Sequence, residues 1–452
     1  MSPDGKTTER RHARRWKLDA VTCVRIFWTL LLLWYELGTF AAHAADCPWP
    51  SPFASAALVR LPLTIRALLV ADPQVLDRRS YPGRNALLMW LTQRVVDLNL
   101  RKSWWAVMRQ RPDVVVFLGD MMDNGRVDMP AAEYESYYKR FKSIFRTPSE
   151  LPVFYLPGNH DIGLGSPVAF SPIALDRYYA HFSQPNKQIG LGNHTAILIN
   201  APGLVDEDAQ RARLGLDFAR YASMYPSSTI AFVHSWGLGG CSSVNDGAIL
   251  FTHIPLARAP DAGCGPLRER GTIHEGTGFG YQNTLSAAAS EFLLKSVQPS
   301  IIFSGDDHDY CDYVHTIPPP TGQSPTSAQQ VHEITVRSFS MAMGVRHPGY
   351  QLLSLLPQDP ALPSTTLVTT PCLLPDQLAI LTHVYVPAAL LSLVALFYMR
   401  VRESMPGAGA LPGPLAQRRR AREGLMKAWA RDCAQAAWAP LLVWGVVVVF
   451  VL

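Results

Sequence analysis

The sequence predicts an α/β fold of layered strands and helices, with apolar helices at both ends long enough to cross a membrane. Three observations carry that prediction. Short apolar runs of strand length recur between residues 60 and 360, a long segment with helical spacing separates the first two, and unbroken apolar stretches occupy both termini. Near-continuous apolar runs suit strands buried on both faces. Strand, helix, strand in that order points to a layered α/β domain.

Taken in order, the basic cluster "RRHARRWK" at 10–17 precedes "IFWTLLLLWYELGTFAAHAA" at 26–45. The apolar length is roughly that needed to cross a bilayer. A cleaved signal peptide usually has a shorter apolar core, although "AAHAA" would supply the small residues of a cleavage site. The stretch is read as a retained signal anchor. Two further apolar stretches close the chain, at 378–399 and 434–452. The loop between them, 400–433, carries eight Lys or Arg residues against Glu403, Glu423 and Asp432. By the positive-inside tendency, this loop and residues 1–25 are cytosolic, which places 46–377 in a lumenal space.

The net charge of +5 largely reflects these membrane-flanking clusters and gives no reason to expect a nucleic-acid partner. Five of the seven cysteines, Cys47, Cys241, Cys264, Cys311 and Cys372, fall in the proposed lumenal part, where disulfides persist. Five is odd, so at least one is free or pairs elsewhere. The sequon "NHT" makes Asn193 a glycosylation candidate.

Within the lumenal part, strand-length apolar runs that end in polar residues are read in "IRALLVADPQ", "PDVVVFLGD", "LPVFYLPGNHD", "HTAILIN", "STIAFVHS", "AILFTH" and "PSIIFSGDDHD". "NALLMWLTQRVVDLNLRKSWWAVMRQ" reads as a helix, with Trp104 and Trp105 as packing residues. Five of the strands end in Asp, Asn or His. The runs deliver Asp72, Asp120, Asn159 with His160, His253, and the acidic turn "SGDDHD" at 304–309. Function gathers at the carboxyl ends of strands in open sheets of this kind. A single Asp or His there is ordinarily a turn former; five strand ends together point to a metal site.

The ordered set "ADPQ" (71–74), "GDMMDNGR" (119–126), "GNHD" (158–161), "FTHIPL" (251–256) and "SGDDHD" resembles the calcineurin-like metallophosphoesterases. That resemblance implies a four-layer metallophosphoesterase sandwich, two mixed β-sheets flanked by helices, and two divalent ions. A pair of such ions stabilises a phosphoryl group and activates a water. By the resemblance, Asp120 bridges, Asp72 and His308 complete one shell, and Asn159 and His253 the other. His160 protonates the leaving oxygen or steadies the phosphate, and Asp123, three residues after Asp120, orients it.

Two positions depart from the family pattern. Gln74 stands where a ligand histidine is usual, and Asp306 stands at the first histidine of the last motif. If both still bind metal, the site is richer in oxygen and suits Mn²⁺ over Zn²⁺. If they do not, the site is degraded. His234 competes with His253, but the "THIPL" context favours His253. The segment 232–247 has no recognised counterpart, and reads as a surface loop or as translated intron.

"ADPQ" with "SGDDHDYC", then "SFSMAMGVRHPGYQLLSL" and "CLLPDQ" before an apolar span, resembles the fungal branch that trims glycosylphosphatidylinositol (GPI) anchors. The resemblance implies a multi-pass protein of the endoplasmic reticulum membrane with a lumenal catalytic domain. Its reaction would remove ethanolamine phosphate from a mannose of the GPI glycan with Mn²⁺, on GPI-anchored proteins or the free glycolipid. In the acidic turn, Asp306 and His308 are the expected ligands, Asp307 points elsewhere and Asp309 is a turn residue. Arg126, His274, Tyr281 and Gln282 are the candidate substrate contacts. Two alternatives stay open: a weakened module that binds GPI-anchored cargo, and a phosphoesterase with another substrate.

Overall fold

The computed structural model describes residues 19–51, 64–165, 170–238, 248–317, 329–356, 366–404 and 415–450. They form two compact units, one of Gly38–Leu378 and one made of the residues on either side of it.

Among the described residues, the larger unit holds thirteen strands. They are β1 (Ile65–Val70), β2 (Val114–Phe117), β3 (Val153–Tyr155), β4 (Lys187–Leu191), β5 (His194–Leu198), β6 (Ala248–Phe251), β7 (Thr277–Gly278), β8 (Tyr281–Gln282), β9 (Pro299–Ser304), β10 (Cys311–Ile317), β11 (Gln329–Thr335), β12 (Gly349–Leu355) and β13 (Leu367–Leu373). One sheet runs β13-β12-β1-β2-β3 and the other β10-β11-β9-β6-β5-β4, while β7 and β8 pair as a small hairpin. Both large sheets are mixed: β1, β2 and β3 run parallel, as do β5, β6, β9 and β11, while β12, β13, β4 and β10 join antiparallel.

Side chains alternate across a strand, and β1 shows what that does here. Leu68 and Val70 join a core shared with Leu100 and Trp104 of the helix Ala86–Met108 and with Phe141 of the helix Ala131–Ile144. Ala67, Leu69 and Ala71 face the other way, into a core shared with Leu198, Phe251 and Phe303 of the second sheet. On that sheet's outer side, Ile197, Leu250 and Ile302 pack against Leu204 and Leu293 of the helices Ala201–Arg213 and Ala287–Val297. Three cores therefore separate four layers, helix, sheet, sheet, helix.

The run "STIAFVHS" is a correction: it forms a helix, Thr229–Leu238, not a strand. Its Thr, Ile and Val residues favour strands, but the Ser228 hydroxyl accepts from Ala231 N–H, and Glu207 accepts from Thr229 and Ile230 N–H, each at 2.9 Å. These acceptors satisfy the free donors of a helix start. His234 sits on this helix. The rest of the unassigned segment, 239–247, lies outside the described residues, as does Cys241. The other four cysteines pair as Cys47–Cys372 and Cys264–Cys311.

In the smaller unit, Trp28 Nε1 donates to Ser392 Oγ at 3.0 Å and Arg25 Nη2 to the Gln435 carbonyl at 2.7 Å. Among the described residues, two helices are long and apolar enough to cross a membrane, Ala20–Ala45 and Gln377–Ser404. The third expected span runs beyond the described residues and lies at the end of the helix Leu415–Phe450. That helix also takes up much of the basic segment expected as a loop, whose Ala, Arg, Leu, Met and Lys residues are strong helix formers.

Candidate metal centre

Five strand ends from both sheets meet at one edge of the sandwich. β1 leads into Asp72 and Gln74, β2 into Asp120, β3 into Asn159 and His160, β6 into His253, and β9 into Asp306 and His308. Asp72, Gln74, Asp120, Asp306 and His308 all have positive φ, between 35° and 69°. Backbone of that kind costs energy in non-glycine residues and concentrates at functional sites. Two glycines make the close approach feasible: a Cβ at Gly119 would run into the His253 ring, and one at Gly158 into the Asp120 carboxylate.

Asp72, Asp120 and His253 are fully buried, and each offers a ligand atom within 4.8 Å of the others. His253 Nδ1 lies 2.7 Å from the Leu118 carbonyl, so it carries the proton and leaves Nε2 for a ligand role. Around Nε2 stand Asn159 Oδ1 at 3.1 Å and the Oδ1 atoms of Asp120 and Asp306 at 3.4 Å. On the other side of Asp120, Gln74 Nε2 donates to Oδ2 at 2.9 Å and lies 3.1 Å from His308 Nε2. Asp120 thus separates two groups of donors, as a bridging carboxylate must. Gln74 presents its NH₂ in this arrangement, so ligation through its oxygen requires a flip of the amide.

The electrostatics fit a cation. Asp72 Oδ2 is buried without a hydrogen-bond partner. Burial pushes the Asp72 pKa up, with Asp120 and Asp306 adding to the effect and His253 opposing it. Burial disfavours charge on His253 too, but Asp120 and Asp306 outweigh it and raise its pKa well above the ordinary value. Asp120 is likewise held low against burial by His253 and His160. Burial holds His308 neutral, down to about 4. Orphaned carboxylate oxygen, crowded acids and a neutral imidazole are what divalent ions compensate.

His160 is only partly buried, with 27% of its side chain exposed, so it can reach a substrate. Its N–H donates to Asp120 Oδ1 at 2.8 Å, and its Nδ1 lies 2.6 Å from the Asp123 carbonyl and 3.5 Å from that carboxylate. The nearer acceptor is the backbone oxygen rather than the side chain anticipated from sequence. Among the described residues, no hydrogen bond occupies Nε2.

In the acidic turn, alternate residues face opposite ways. Asp306 and His308 face the donors above. Asp307 pairs with Arg268, and Asp309 pairs with Arg337 at 3.0 Å while accepting from Glu269 and Arg270 N–H. Of the substrate candidates, Arg126 Nη1 donates to the carbonyls of Gly280 at 2.7 Å and Asn159 at 3.3 Å. The exposed ring of Tyr281 and the Gln282 amide, which donates to Thr284, lie on the hairpin. His274 lies beside it, its carbonyl accepting from Asn283. None of these three has a hydrogen bond to the donor set among the described residues. Gly280 at the hairpin tip does, accepting from Asn159 Nδ2 at 2.8 Å.

Sequence reasoning gave no role to Asp161, which is buried and accepts from Gly158, Met121 and Met122 N–H at 3.0–3.3 Å. Burial and then Asp120 raise its pKa to about 7 against the pull of those donors. It stands within the motif "GNHD", and that was its only sequence signal.

The Calcineurin-like phosphoesterase family profile matches residues 65–310, the span that supplies every residue of the donor set. The chain belongs to that family. It is 33% identical over 372 residues to Cell division control protein 1 of Saccharomyces cerevisiae, covering 79% of this chain and 70% of that one. It is 26% identical over 334 residues to Metallophosphoesterase 1 of Xenopus laevis, covering 70% and 76%. A purple acid phosphatase from yellow lupin seeds is a more distant likeness, with a TM-score of 0.38 and 11% identity over 71% of this chain and 55% of that one. The family and the buried Asp–Asp–His cluster make the calcineurin-like chain a metal-dependent phosphoesterase.

Proposed function

We propose that this phosphoesterase is a diesterase of the endoplasmic reticulum lumen, membrane-anchored, which removes ethanolamine phosphate from a mannose of the GPI glycan. The observation that carries the reading is the donor set itself. Gln74 and Asp306, the two departures from the family pattern that mark the GPI-trimming branch, both touch the other donors. Asp72, Gln74, Asp120, Asn159, His253, Asp306 and His308 would hold two divalent ions. Oxygen donors outnumber nitrogen among them, which favours Mn²⁺.

Bound there, the ions would supply charge compensation for the phosphoryl oxygens and an activated water. The residues of the chain supply the rest. Water adds to phosphorus as the bond to the mannose oxygen breaks. His160 Nε2 delivers a proton to that oxygen, which leaves as a hydroxyl. The Asp123 carbonyl and carboxylate fix the ring and balance its charge. Arg126, tied to Asn159 and Gly280, sets the wall beside the phosphoryl position.

Membrane anchorage is supported by the two apolar helices, and a lumenal domain by two disulfides within it. Asn193 occupies an exposed turn between β4 and β5, where a glycan can be attached. The test uses purified full-length protein with Mn²⁺ and a GPI glycan bearing ethanolamine phosphate, with release read by mass spectrometry. Release that disappears in Asp120→Asn supports the reading. Hydrolysis of a simple aryl phosphodiester without any release from the glycan would keep the chemistry and reject the substrate.

A further inference from the structure

We infer that the helix Ala86–Met108 lies along the membrane surface, with the face of Leu87, Leu88, Leu91 and Val95 in the interfacial layer of the bilayer. The inference rests on the membrane reading above.

This helix is apolar on two sides. Met89, Val96, Leu100, Trp104 and Val107 form one side and pack into the core of the catalytic unit. At 100° per residue, the opposite side is made by Leu87, Leu88, Leu91, Val95, Leu98, Lys102, Trp105 and Ala106. Its carboxyl-terminal part is covered: Ala106 and Trp105 pack with Phe40 and Ala44, and Lys102 Nζ lies 4.7 Å from the Phe40 ring centre. Phe40 and Ala44 belong to Thr39–Ala45, the last turns of the apolar helix that begins at Ala20. Lys102 Nζ also donates at 2.7 Å to Gln377, where the second apolar helix begins.

The amino-terminal part of the same side is bare. Leu87 is 69% exposed, Leu88 48%, Leu91 44% and Val95 40%, and Trp90 at its margin is 51% exposed. At roughly 1.5 Å per residue, the bare stretch from Leu87 to Leu98 is about 16 Å long. A patch of this kind on a folded domain marks an interaction site. Residues 78–112 hold eight Lys or Arg residues against one acid, Asp97, and Asp97 is buried against Arg140 at 2.9 Å. Arg84 and Arg94 are exposed and lie over the rings of Tyr81 and Trp90. Leu, Trp and flanking Arg with no exposed acid is the composition of a helix that beds into lipid headgroups. The bare face also continues the one on which the end of a membrane-length helix is seated.

The placement matters for catalysis. The loop before this helix holds Asp77 and Ser80, and Asn124, next to Asp123, donates to Asp77 Oδ1 at 2.8 Å. Through Asp77 and Asn124 the seated helix is therefore linked to the residue that lies against His160.

The test places p-benzoylphenylalanine at Leu91 in the full-length chain, in nanodiscs of phosphatidylcholine and phosphatidylserine, with photo-adducts read by mass spectrometry. Leu391, in the second apolar helix, and Leu214, on an exposed turn of the catalytic unit, serve as comparisons. Phospholipid adducts at Leu91 and Leu391 but not Leu214 are expected. Adducts at Leu391 alone, or a crosslink from Leu91 to residues 52–63 or to a second chain, overturn the inference and leave the membrane reading standing. No lipid adduct at Leu391 rejects both. As a second readout, Leu91→Asp with Val95→Asp should leave hydrolysis of a soluble aryl phosphodiester unchanged and slow hydrolysis of a vesicle-borne glycolipid several-fold. Equal rates on both substrates contradict the inference.

Discussion

At the scale of single residues, the account turns on charge. Asp120 and Asp306 raise the His253 pKa well above its ordinary value against the effect of burial. A histidine can ligate only when neutral, so metal binding should release protons from the site. Calorimetry in buffers of different ionisation enthalpy measures their number, and a value of zero would mean His253 is not a ligand. The same shift fixes a pH dependence for the metal-free chain. Stability from a raised histidine pKa is complete below its unfolded value of about 6.5, and is lost as pH rises through the folded value. Chelator-treated protein should therefore unfold at lower denaturant at pH 9 than at pH 6. His160 makes a different prediction. His160→Ala should reduce kcat by roughly 10²–10⁴ for an alkyl leaving group. It should reduce it far less for p-nitrophenol, which needs no proton. Equal losses on both substrates would assign His160 to binding.

At the scale of elements, the turn 305–310 shows how support and chemistry are divided. Arg268 and Arg337 hold Asp307 and Asp309, and Cys264–Cys311 ties the segment that carries Arg268 to the start of β10. Arg337→Ala would leave Asp309 buried without its cation, a loss of about 3–5 kcal/mol by analogy with other broken buried pairs. Denaturant titration checks this, and a loss under 1 kcal/mol would mean that the backbone donors alone suffice. Asp306 and His308 were readable as candidate ligands from their place in the last motif, and both lie against the other candidate donors. Arg268 and Arg337 were not readable, since they lie 39 and 28 residues from their partners and belong to no local pattern. The helix Thr229–Leu238 was misread for a related reason. Its propensities favour a strand, while Glu207, more than twenty residues earlier, caps it. Strands β1, β2, β3, β6 and β9 were legible because each is an apolar run ending in a ligand-type residue, and β5 because its apolar run has strand length. The strands β10–β13 lack that ending, and their pairing is set by long-range contacts.

At the scale of the molecule, four layers put five strand ends at one edge, and helices long and apolar enough to cross a membrane occur on both sides of the catalytic unit in the sequence. The disulfide Cys47–Cys372 closes nearly the whole unit, 325 residues apart. Its reduction should lower stability by about 2–4 kcal/mol, and unchanged unfolding in reductant would contradict that. The strand ends are proposed to hold two divalent ions. The measurement that tests this most directly is the metal content of the purified, Mn²⁺-loaded full-length chain by inductively coupled plasma mass spectrometry, beside Asp120→Asn. Two ions per chain, falling to one or none in the variant, is the predicted result. A wild-type chain that retains no ion after removal of free Mn²⁺, while still hydrolysing phosphodiesters, would contradict it.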